Sequence, residues 1–310
     1  MRILVVGAGG VGGYFGGRLL EAKRDVTFLV RARRAGELAK TGLVIRSSFG
    51  DVNIPAPPTV QTEALREPFD LILLSCKAYD LDGAIESLAP AVGPQTAILP
   101  LLNGMRHLDA LDAKFGSKAV LGGHCLISTT LDAEGRILHF NDLHAITFGE
   151  RDGVRSARAN EILAELTKAK FNSVLSDAIV AEMWEKWAFI STLAGITCLM
   201  RASFGDVVAA GGGDLSLALL NECVEIATAA GYPPREAALQ RVRAQAAAAG
   251  SSLMASMLRD VERGARTEVE QILGDLLRRQ DAAKRERSLL RLAYTHVKSY
   301  EARQARESRS

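Results

Sequence analysis

A glycine-rich turn near the start of the chain constrains the fold more than any other feature. Residues 1–17 read MRILVVGAGGVGGYFGG, an apolar run that breaks into glycines and continues as a helix-like stretch. The glycines fit the pattern G-x-G-x-x-G, which binds dinucleotides when it lies between a strand and a helix. The first glycine allows a tight turn, the second lets the backbone approach a pyrophosphate, and the third lets the helix pack on the strand.

The turn therefore predicts a dinucleotide site. The helix N-terminus would offer unpaired N–H groups to the phosphates, and the alternative is a glycine loop that binds nothing. Three further glycines, Gly13, Gly16 and Gly17, lower helix propensity and predict close packing around this helix. The predicted phosphate contacts are Gly7, Ala8, Gly9, Gly10, Val11 and Gly12.

The second predicted strand indicates which nucleotide fits. This strand, Asp25–Val30, ends without the Asp or Glu that usually holds the ribose 2′-hydroxyl of NAD. Arg31, Arg33 and Arg34 follow it instead. Guanidinium groups pair bidentately with phosphate oxygens, so this segment favours the 2′-phosphate of NADP(H). The alternative is a solvated basic turn.

Composition excludes several classes of protein. The 310 residues are 48% hydrophobic and 24% charged, which is ordinary for a globular chain of two domains. A net charge of +2 gives no electrostatic argument for a nucleic-acid or membrane partner. The longest charge-free run, 187–200, is too short to span a bilayer, and the first apolar run leads into the glycine turn rather than a signal-peptide cleavage site. Scattered cysteines and histidines predict reduced thiols, no metal site and a cytoplasmic protein.

The first half alternates strands with helices, which predicts an α/β Rossmann-type domain over residues 1–177. Apolar runs at 69–75 and 96–102 predict buried parallel strands, and Lys77 and Asn103-Gly104 follow them. Ligands of such sheets bind at the carboxyl ends of strands, so Lys77 and Asn103 are candidate contacts. A solvated lysine and an ordinary Asn-Gly turn are the alternatives. The other predicted elements are a hairpin of 43–46 with 51–54, helices 81–88, 105–115 and 154–168, and strands 119–129, 136–141, 145–149 and 173–176.

The second half predicts an all-helical domain over residues 178–310, because no strand pattern remains after Asp177. Its first helix, 177–200, contains Lys186 followed by fourteen charge-free residues. Lysine is rarely buried unless it is paired or functional. Either Glu182 pairs with Lys186 along the helix, or Lys186 is a proton donor at the base of a cleft between the two halves. The other predicted elements are helices 215–230, 234–249, 252–261, 267–280 and 287–303, and a frayed tail at 304–310.

Short motifs occur in a specific order along nearly the whole chain. After the glycine turn and the arginines come Lys77-Ala78, 103-NGM-105, 184-WEK-186, Ser256-Met257 with Asp260, and Thr267-Glu268. In this order and separation the chain resembles the ketopantoate reductases, which are NADPH-dependent 2-dehydropantoate 2-reductases with a Rossmann domain followed by an all-helical domain. The resemblance implies reduction of a small 2-oxo acid in pantothenate and coenzyme A synthesis. A homodimer is compatible with it.

The resemblance also implies roles for individual residues. Charge builds on the oxygen of a ketone as it accepts hydride, and an ammonium group can stabilise and then protonate that oxygen. By resemblance, Lys186 is this general acid and Glu268 is the active-site carboxylate. The other implied contacts are Asn103 to nicotinamide and substrate, Ser256 to substrate, and Arg31 and Lys77 to the cofactor.

The chain departs from the family pattern on the lysine helix. Ile190 and Ala194 stand where the family has asparagines that contact the substrate, and 281-DAAKRERS-288 lacks the usual Gly and Pro. Losing two amides weakens discrimination for a small hydroxy-keto acid, so a bulkier or more apolar 2-oxo acid is a rival substrate. Two other functions stay open. One is a paralogous NADP-dependent dehydrogenase for another 2-oxo or 2-hydroxy acid. The other is a non-catalytic NADP-binding sensor, against which the presence of Lys186 and Glu268 argues.

Overall fold

A computed structural model describes residues 1–308, which divide into two compact units. The first unit contains Met1–Leu102 and His107–Val180, and the second contains Asn103–Arg106 and the chain from Ala181 onward. The short segment Asn103–Arg106 is therefore grouped with the second unit, although it begins three residues after a strand of the first.

The first unit contains ten strands and five α-helices within the described chain. Its strands are β1 (Arg2–Val6), β2 (Asp25–Leu29), β3 (Leu43–Arg46), β4 (Val52–Ile54), β5 (Thr59–Val60), β6 (Leu71–Leu74), β7 (Ala97–Pro100), β8 (Gly122–Leu131), β9 (Ile137–Gly149) and β10 (Asn172–Leu175). Its helices are α1 (Gly10–Glu21), α2 (Ala32–Thr41), α3 (Leu81–Leu88), α4 (Arg106–Phe115, of which Arg106 belongs to the second unit) and α5 (Ala157–Leu166).

A parallel sheet in the order β5-β2-β1-β6-β7 forms the centre of this unit. Val6 at the end of β1 is in register with Leu29 of β2 and Leu74 of β6, and Leu74 pairs with Pro100 of β7. The central strands are apolar and fully buried, as expected for a sheet covered on both faces. The predicted Rossmann-type α/β fold is confirmed, and the carboxyl ends of its strands lie level at one edge.

A second sheet, in the order β10-β9-β3-β4 with β8 paired to β9, lies in the same unit. The predicted hairpin of β3 and β4 is confirmed by the antiparallel pair Leu43 and Ile54. The prediction of separate strands at 136–141 and 145–149 is wrong, because β9 is one strand of 13 residues paired with β8 on both sides of a bulge. At that bulge the Ser128 backbone N–H donates to Asn141 Oδ1 at 3.0 Å, so a side chain replaces a missing backbone acceptor.

Helix α1 packs against both sheets, and glycines make this possible. A Cβ at Gly16 would lie 2.6 Å from Phe28 of β2, and one at Gly13 would lie 2.6 Å from Ile137 of β9. A Cβ at Gly17 would lie 2.7 Å from the side chains of β3. A Cβ at any of these positions would displace the neighbouring side chain, so the close packing predicted around this helix is confirmed.

A buried polar cluster lies where α1 meets the second sheet. The hydroxyl of Tyr14 and Nδ1 of His144 are hydrogen bonded at 2.8 Å, and Phe49 stacks on the His144 ring with centroids 3.8 Å apart. Burial lowers the pKa of His144, and the nearby His139 and Arg18 lower it further by charge repulsion. His144 is therefore held neutral at a pH where an exposed histidine would begin to protonate.

The second unit is helical, as predicted. Its elements are α6 (Ile179–Met200, which starts in the first unit), α7 (Phe204–Ala209), α8 (Gly213–Ala229), α9 (Glu236–Ala246), α10 (Ser256–Glu262), a π-helix (Glu270–Gly274), α11 (Asp275–Arg279), α12 (Ala282–Arg285) and α13 (Leu289–Glu307). Helix α6 is buried on most faces, and its hydroxyls are satisfied within the protein: Thr192 donates to Ala188 O and Thr197 to Leu193 O. Among residues 1–308, no helix is long and apolar enough to cross a membrane.

Three features of this unit differ from the predictions. Helix α7 was not predicted, although Ser203 and Asp206 form a capping box at its start. The predicted helix 267–280 is a π-helix followed by the short α11. The prediction of a frayed tail over 304–310 is wrong for residues 304–307, because α13 continues to Glu307. Residues 309–310 lie outside the described chain.

Candidate functional site

The glycine turn has the shape that a pyrophosphate requires. Gly7 has φ +95°, which only glycine adopts readily, and its N–H donates to Leu29 O at 3.0 Å. Gly9 precedes the first turn of α1, and a Cβ placed there would meet no atom within 4 Å. A Cβ at Gly12 would overlap the Ser75 hydroxyl and the Gly7 carbonyl oxygen. The second glycine thus faces open space while the third is packed tightly, which fits the roles that the motif assigns to them.

The side chain of Arg34 is hydrogen bonded to this turn. Its Nε donates to the Ala8 carbonyl oxygen at 3.1 Å, and its Nη2 donates to the Gly135 carbonyl oxygen between β8 and β9 at 3.1 Å. Its Nη1 pairs with Glu37 at 3.1 Å, and only 13% of the side chain is exposed. The sequence grouped Arg34 with the arginines expected to meet a 2′-phosphate, but its hydrogen bonds join the glycine turn to the second sheet.

Arg31 and Asp80 form an ion pair at the same edge of the parallel sheet. Arg31 follows Val30 as the N-cap residue of α2, and its Nη2 lies 2.9 Å from Asp80 Oδ1. The hydrogen bond and the charge of Asp80 raise the pKa of Arg31, so this guanidinium stays charged. Lys77 is half-buried and precedes the short 3₁₀ turn Ala78–Asp80 after β6. Sequence reasoning missed Asp80, because no pattern links it to an arginine 49 positions away.

Asn103 and Gly104 form a tight turn against the π-helix within the second unit. Gly104 has φ +80°, and a Cβ there would lie 2.7 Å from the Gln271 carbonyl oxygen. A residue with a Cβ at this position would collide with the π-helix, so glycine is required for the backbone to come this close. Asn103, which precedes Gly104, is half-buried.

Lys186 lies on a helix that is hydrogen bonded to the segment carrying Glu268. Trp187 Nε1 donates to the Ile272 carbonyl oxygen at 2.9 Å, and Ser191 Oγ donates to the same oxygen at 3.0 Å. Ile272 lies in the π-helix, and its own N–H donates to the Glu268 carbonyl oxygen at 3.0 Å. π-Helical turns are rare and occur frequently at functional sites. Lys186 is half-buried and Glu268 is only 6% exposed.

Glu270, two residues after Glu268, makes a set of contacts with α11 and α13. Glu270 accepts a hydrogen bond from the Tyr294 hydroxyl at 2.8 Å and pairs with Lys298 at 3.1 Å and Arg278 at 3.2 Å. Burial opposes ionisation, but these hydrogen bonds outweigh it and lower the pKa of Glu270. Glu270 thus anchors the π-helix to α13.

The remaining predicted site residues lie in the second unit. Ser256 is the first residue of α10 and is exposed. On α6, Ile190 follows Lys186 by one turn and is half-buried, and Ala194 follows by two turns and is 2% exposed. Positions i, i+4 and i+8 lie along one side of a helix, so apolar side chains continue from Lys186 along this side.

The cysteines and the other ionisable groups add no metal or disulfide chemistry. The four cysteines, all within residues 1–308, are reduced thiols that form no disulfide. Burial raises the pKa of Cys198 and of Cys223 to about 12, so both thiols stay protonated. Within residues 1–308, no group of three His, Cys, Asp or Glu side chains could hold a metal ion.

The parallel sheet, its glycine turn and the helical unit with a lysine define the class of protein as an NAD(P)-dependent oxidoreductase. The family described as ketopantoate reductase PanE/ApbA matches residues 3–153, and its C-terminal part matches residues 178–301. The chain belongs to the ketopantoate reductase family, whose members act on CH–OH donors.

Individual relatives agree with this assignment. A Bacillus subtilis protein named uncharacterized oxidoreductase YkpB is 36% identical over 303 residues, covering 97% of this chain and 99% of the relative. A 2-dehydropantoate 2-reductase from Mesorhizobium japonicum is 26% identical, covering 88% and 89%.

Solved structures show the same fold. A PanE/ApbA family ketopantoate reductase from Ralstonia eutropha has a TM-score of 0.87 at 22% identity, covering 98% of this chain and 100% of that one. A ternary structure of D-mandelate dehydrogenase with NADH and anilino(oxo)acetate has a TM-score of 0.86 at 19% identity, with the same coverage.

Proposed function

We propose that this protein is an NADPH-dependent 2-dehydropantoate 2-reductase that converts ketopantoate to pantoate. The proposal rests on the hydrogen bonds that connect α6 to the segment 268–272 at the Ile272 carbonyl oxygen. Two side chains of α6 donate to this carbonyl oxygen, which fixes the helix of Lys186 against the turn that follows buried Glu268. The family includes relatives that bear this enzyme's name.

The chemistry that NADPH would supply when bound is hydride transfer to the 2-oxo carbon. The ammonium group of Lys186 stabilises the negative charge that develops on the substrate oxygen and then donates a proton to it. The carboxylate of Glu268 accepts a hydrogen bond from a substrate hydroxyl or keeps Lys186 charged. Asn103 and Ser256 are proposed to orient the substrate, and Asn103 also contacts nicotinamide.

The cofactor is proposed to be held by the glycine turn, Lys77 and Arg31. Open space at Gly9 fits the pyrophosphate, and the absence of a carboxylate at the end of β2 fits NADPH better than NADH. Arg31 is 77% exposed and Arg33 is 89% exposed, so both guanidinium groups are accessible to a 2′-phosphate. We expect kcat/KM to be higher with NADPH than with NADH, and equal values would contradict this cofactor assignment.

The role of Lys186 is tested by replacement with alanine. General acid catalysis typically contributes a factor of about 10²–10⁴, so Lys186→Ala should lower kcat by that amount while the Kd for NADPH stays nearly unchanged. Lys284→Ala is a matched control, because Lys284 is exposed and pairs only with the surface residue Glu225 among its described ion pairs. Retained turnover in Lys186→Ala would remove this residue from the mechanism.

The role of Glu268 is tested against its neighbour. Glu268→Gln should lose turnover, whereas Glu270→Gln should retain it. Glu270→Gln should instead lower the melting temperature, because it weakens the contacts with Tyr294, Lys298 and Arg278. The reverse pattern would assign the active-site role to Glu270.

A second candidate function is reduction of a bulkier or more apolar 2-oxo acid on the same scaffold. The observation that favours it is the apolar side of α6 beyond Lys186, where Ile190 and Ala194 offer no hydrogen bond. NADPH oxidation measured against a panel of 2-oxo acids separates the candidates. Fast turnover of ketopantoate supports the first function, and turnover of another acid alone supports the second. NADPH binding without turnover of any acid would contradict both and indicate a sensor.

A further inference from the structure

The Arg31–Asp80 pair lies across the end of β1, beside the glycine turn. Strand β1 lies between β2 and β6 in the sheet, and the three strands end in register at Val6, Leu29 and Leu74. Arg31 follows β2 by two residues and Asp80 follows β6 by six, so the 2.9 Å ion pair connects the two flanking loops.

Neither capping of α3 by Asp80 nor stabilisation of the fold accounts for this ion pair. Asp80 precedes the first residue of α3, yet its side chain makes no capping hydrogen bond there. The side chains of Arg31 and Asp80 are 77% and 35% exposed. Ion pairs this exposed contribute little to folding, so the contact can be exchanged for a ligand.

We propose that Asp80 sets how strongly this site discriminates between NADPH and NADH, an inference that rests on the cofactor site proposed above. Asp80 already accepts a hydrogen bond from Nη2 of Arg31, so its carboxylate competes with a 2′-phosphate for this guanidinium and repels the phosphate at close range. The carboxylate of Asp80 attracts a ribose 2′-hydroxyl instead, because the hydroxyl can donate a hydrogen bond to it. NAD sites usually place such a carboxylate at the end of β2, and here Asp80 supplies it from the loop after β6.

The test is Asp80→Asn, which keeps the size of the side chain and removes its charge. Calorimetric titration with 2′,5′-ADP and with 5′-AMP measures adenosine-end binding with and without the 2′-phosphate, independently of turnover. We expect 2′,5′-ADP to bind about 3- to 10-fold more tightly to the variant, and 5′-AMP to bind no more tightly. The ratio of kcat/KM for NADPH to that for NADH should rise by a similar factor.

The control is Asp82→Asn, which removes the same charge from an exposed position two residues further along. It should change the 2′,5′-ADP affinity by less than about twofold, because exposed charges beyond contact distance are screened. Equal effects of the two variants, an unchanged affinity in Asp80→Asn, or failure of both fragments to bind the wild type would overturn the inference. A wild type that prefers NADH would refute the NADPH assignment alone, since the shift caused by Asp80→Asn would still be measurable.

Discussion

Gly9 and Gly12 lie three residues apart in the same turn, yet their replacement by alanine should fail in different ways. A Cβ at Gly9 meets no atom within 4 Å, and the residue has φ −84°, which alanine adopts without strain. A Cβ at Gly12 overlaps the Ser75 hydroxyl and the Gly7 carbonyl oxygen, and a backbone oxygen cannot rotate away. Gly9→Ala should therefore impair cofactor binding without harming the fold, and Gly12→Ala should harm the fold.

The structure also sets the expected sizes. Overpacking costs about 1–3 kcal/mol, so Gly12→Ala should lower the melting temperature by about 2–12 °C in a unit of this size. Gly9→Ala should leave it unchanged or slightly higher, because alanine reduces the entropy of the unfolded chain. In Gly9→Ala the new methyl group would instead clash with the bound pyrophosphate. A clash of about 1–3 kcal/mol raises the Kd for NADPH by about 5- to 150-fold.

Thermal unfolding without ligand and fluorescence titration with NADPH measure the two effects separately. The reasoning would be refuted if Gly9→Ala bound NADPH with wild-type affinity. It would also be refuted if Gly9→Ala lost as much stability as Gly12→Ala.

Two further predictions concern stability. Ser191→Ala should lower the free energy of unfolding by about 0.5–1.5 kcal/mol, because Trp187 still donates to the Ile272 carbonyl oxygen. The double variant with Trp187→Phe should lose about 1–3 kcal/mol more than the sum of the two single changes, because this oxygen then has neither donor. Urea unfolding of the four proteins measures this coupling, and simple additivity would show that the two donors act independently. His144 has a lowered pKa when folded, so the unfolded chain binds its proton more readily and stability should fall as the pH drops below about 6.5. Melting temperatures of wild type and His144→Asn across this range check the sign, and an equal slope in both would assign the effect to another group.

The parallel sheet and the central helix of the second unit could be predicted because their signals are local. The central strands β1, β6 and β7 contain uninterrupted apolar runs that end in turn residues, and α6 contains fourteen residues without a charge. Each signal depends only on neighbouring residues, so no knowledge of the rest of the fold is needed.

The missed elements depend on contacts between distant residues. Strand β9 continues through Asn141 because that side chain bonds to Ser128 at the bulge in β8. The π-helix contains Ile272, whose carbonyl oxygen accepts hydrogen bonds from side chains 81 and 85 positions away. Helix α7 is different, because the capping box at Ser203 is visible in the sequence and could have been found.

The sequence identified candidate site residues by type, but it could not identify the partner of each residue. Arg31, Arg33 and Arg34 are equivalent in the sequence, and the fold alone directs Arg34 to the Gly135 carbonyl oxygen 101 positions away. Glu268 and Glu270 are likewise equivalent until Tyr294 and its neighbours engage Glu270. The choice of Glu268 comes from the resemblance and stays a prediction.

The most direct test of the proposed reaction follows the hydride itself. The enzyme would be incubated with ketopantoate and with NADPH deuterated at both C4 positions, and the product would be examined by mass spectrometry and NMR. We predict pantoate with one deuterium, located at C2. Turnover of another 2-oxo acid but not of ketopantoate, or pantoate without deuterium at C2, would contradict the proposed function.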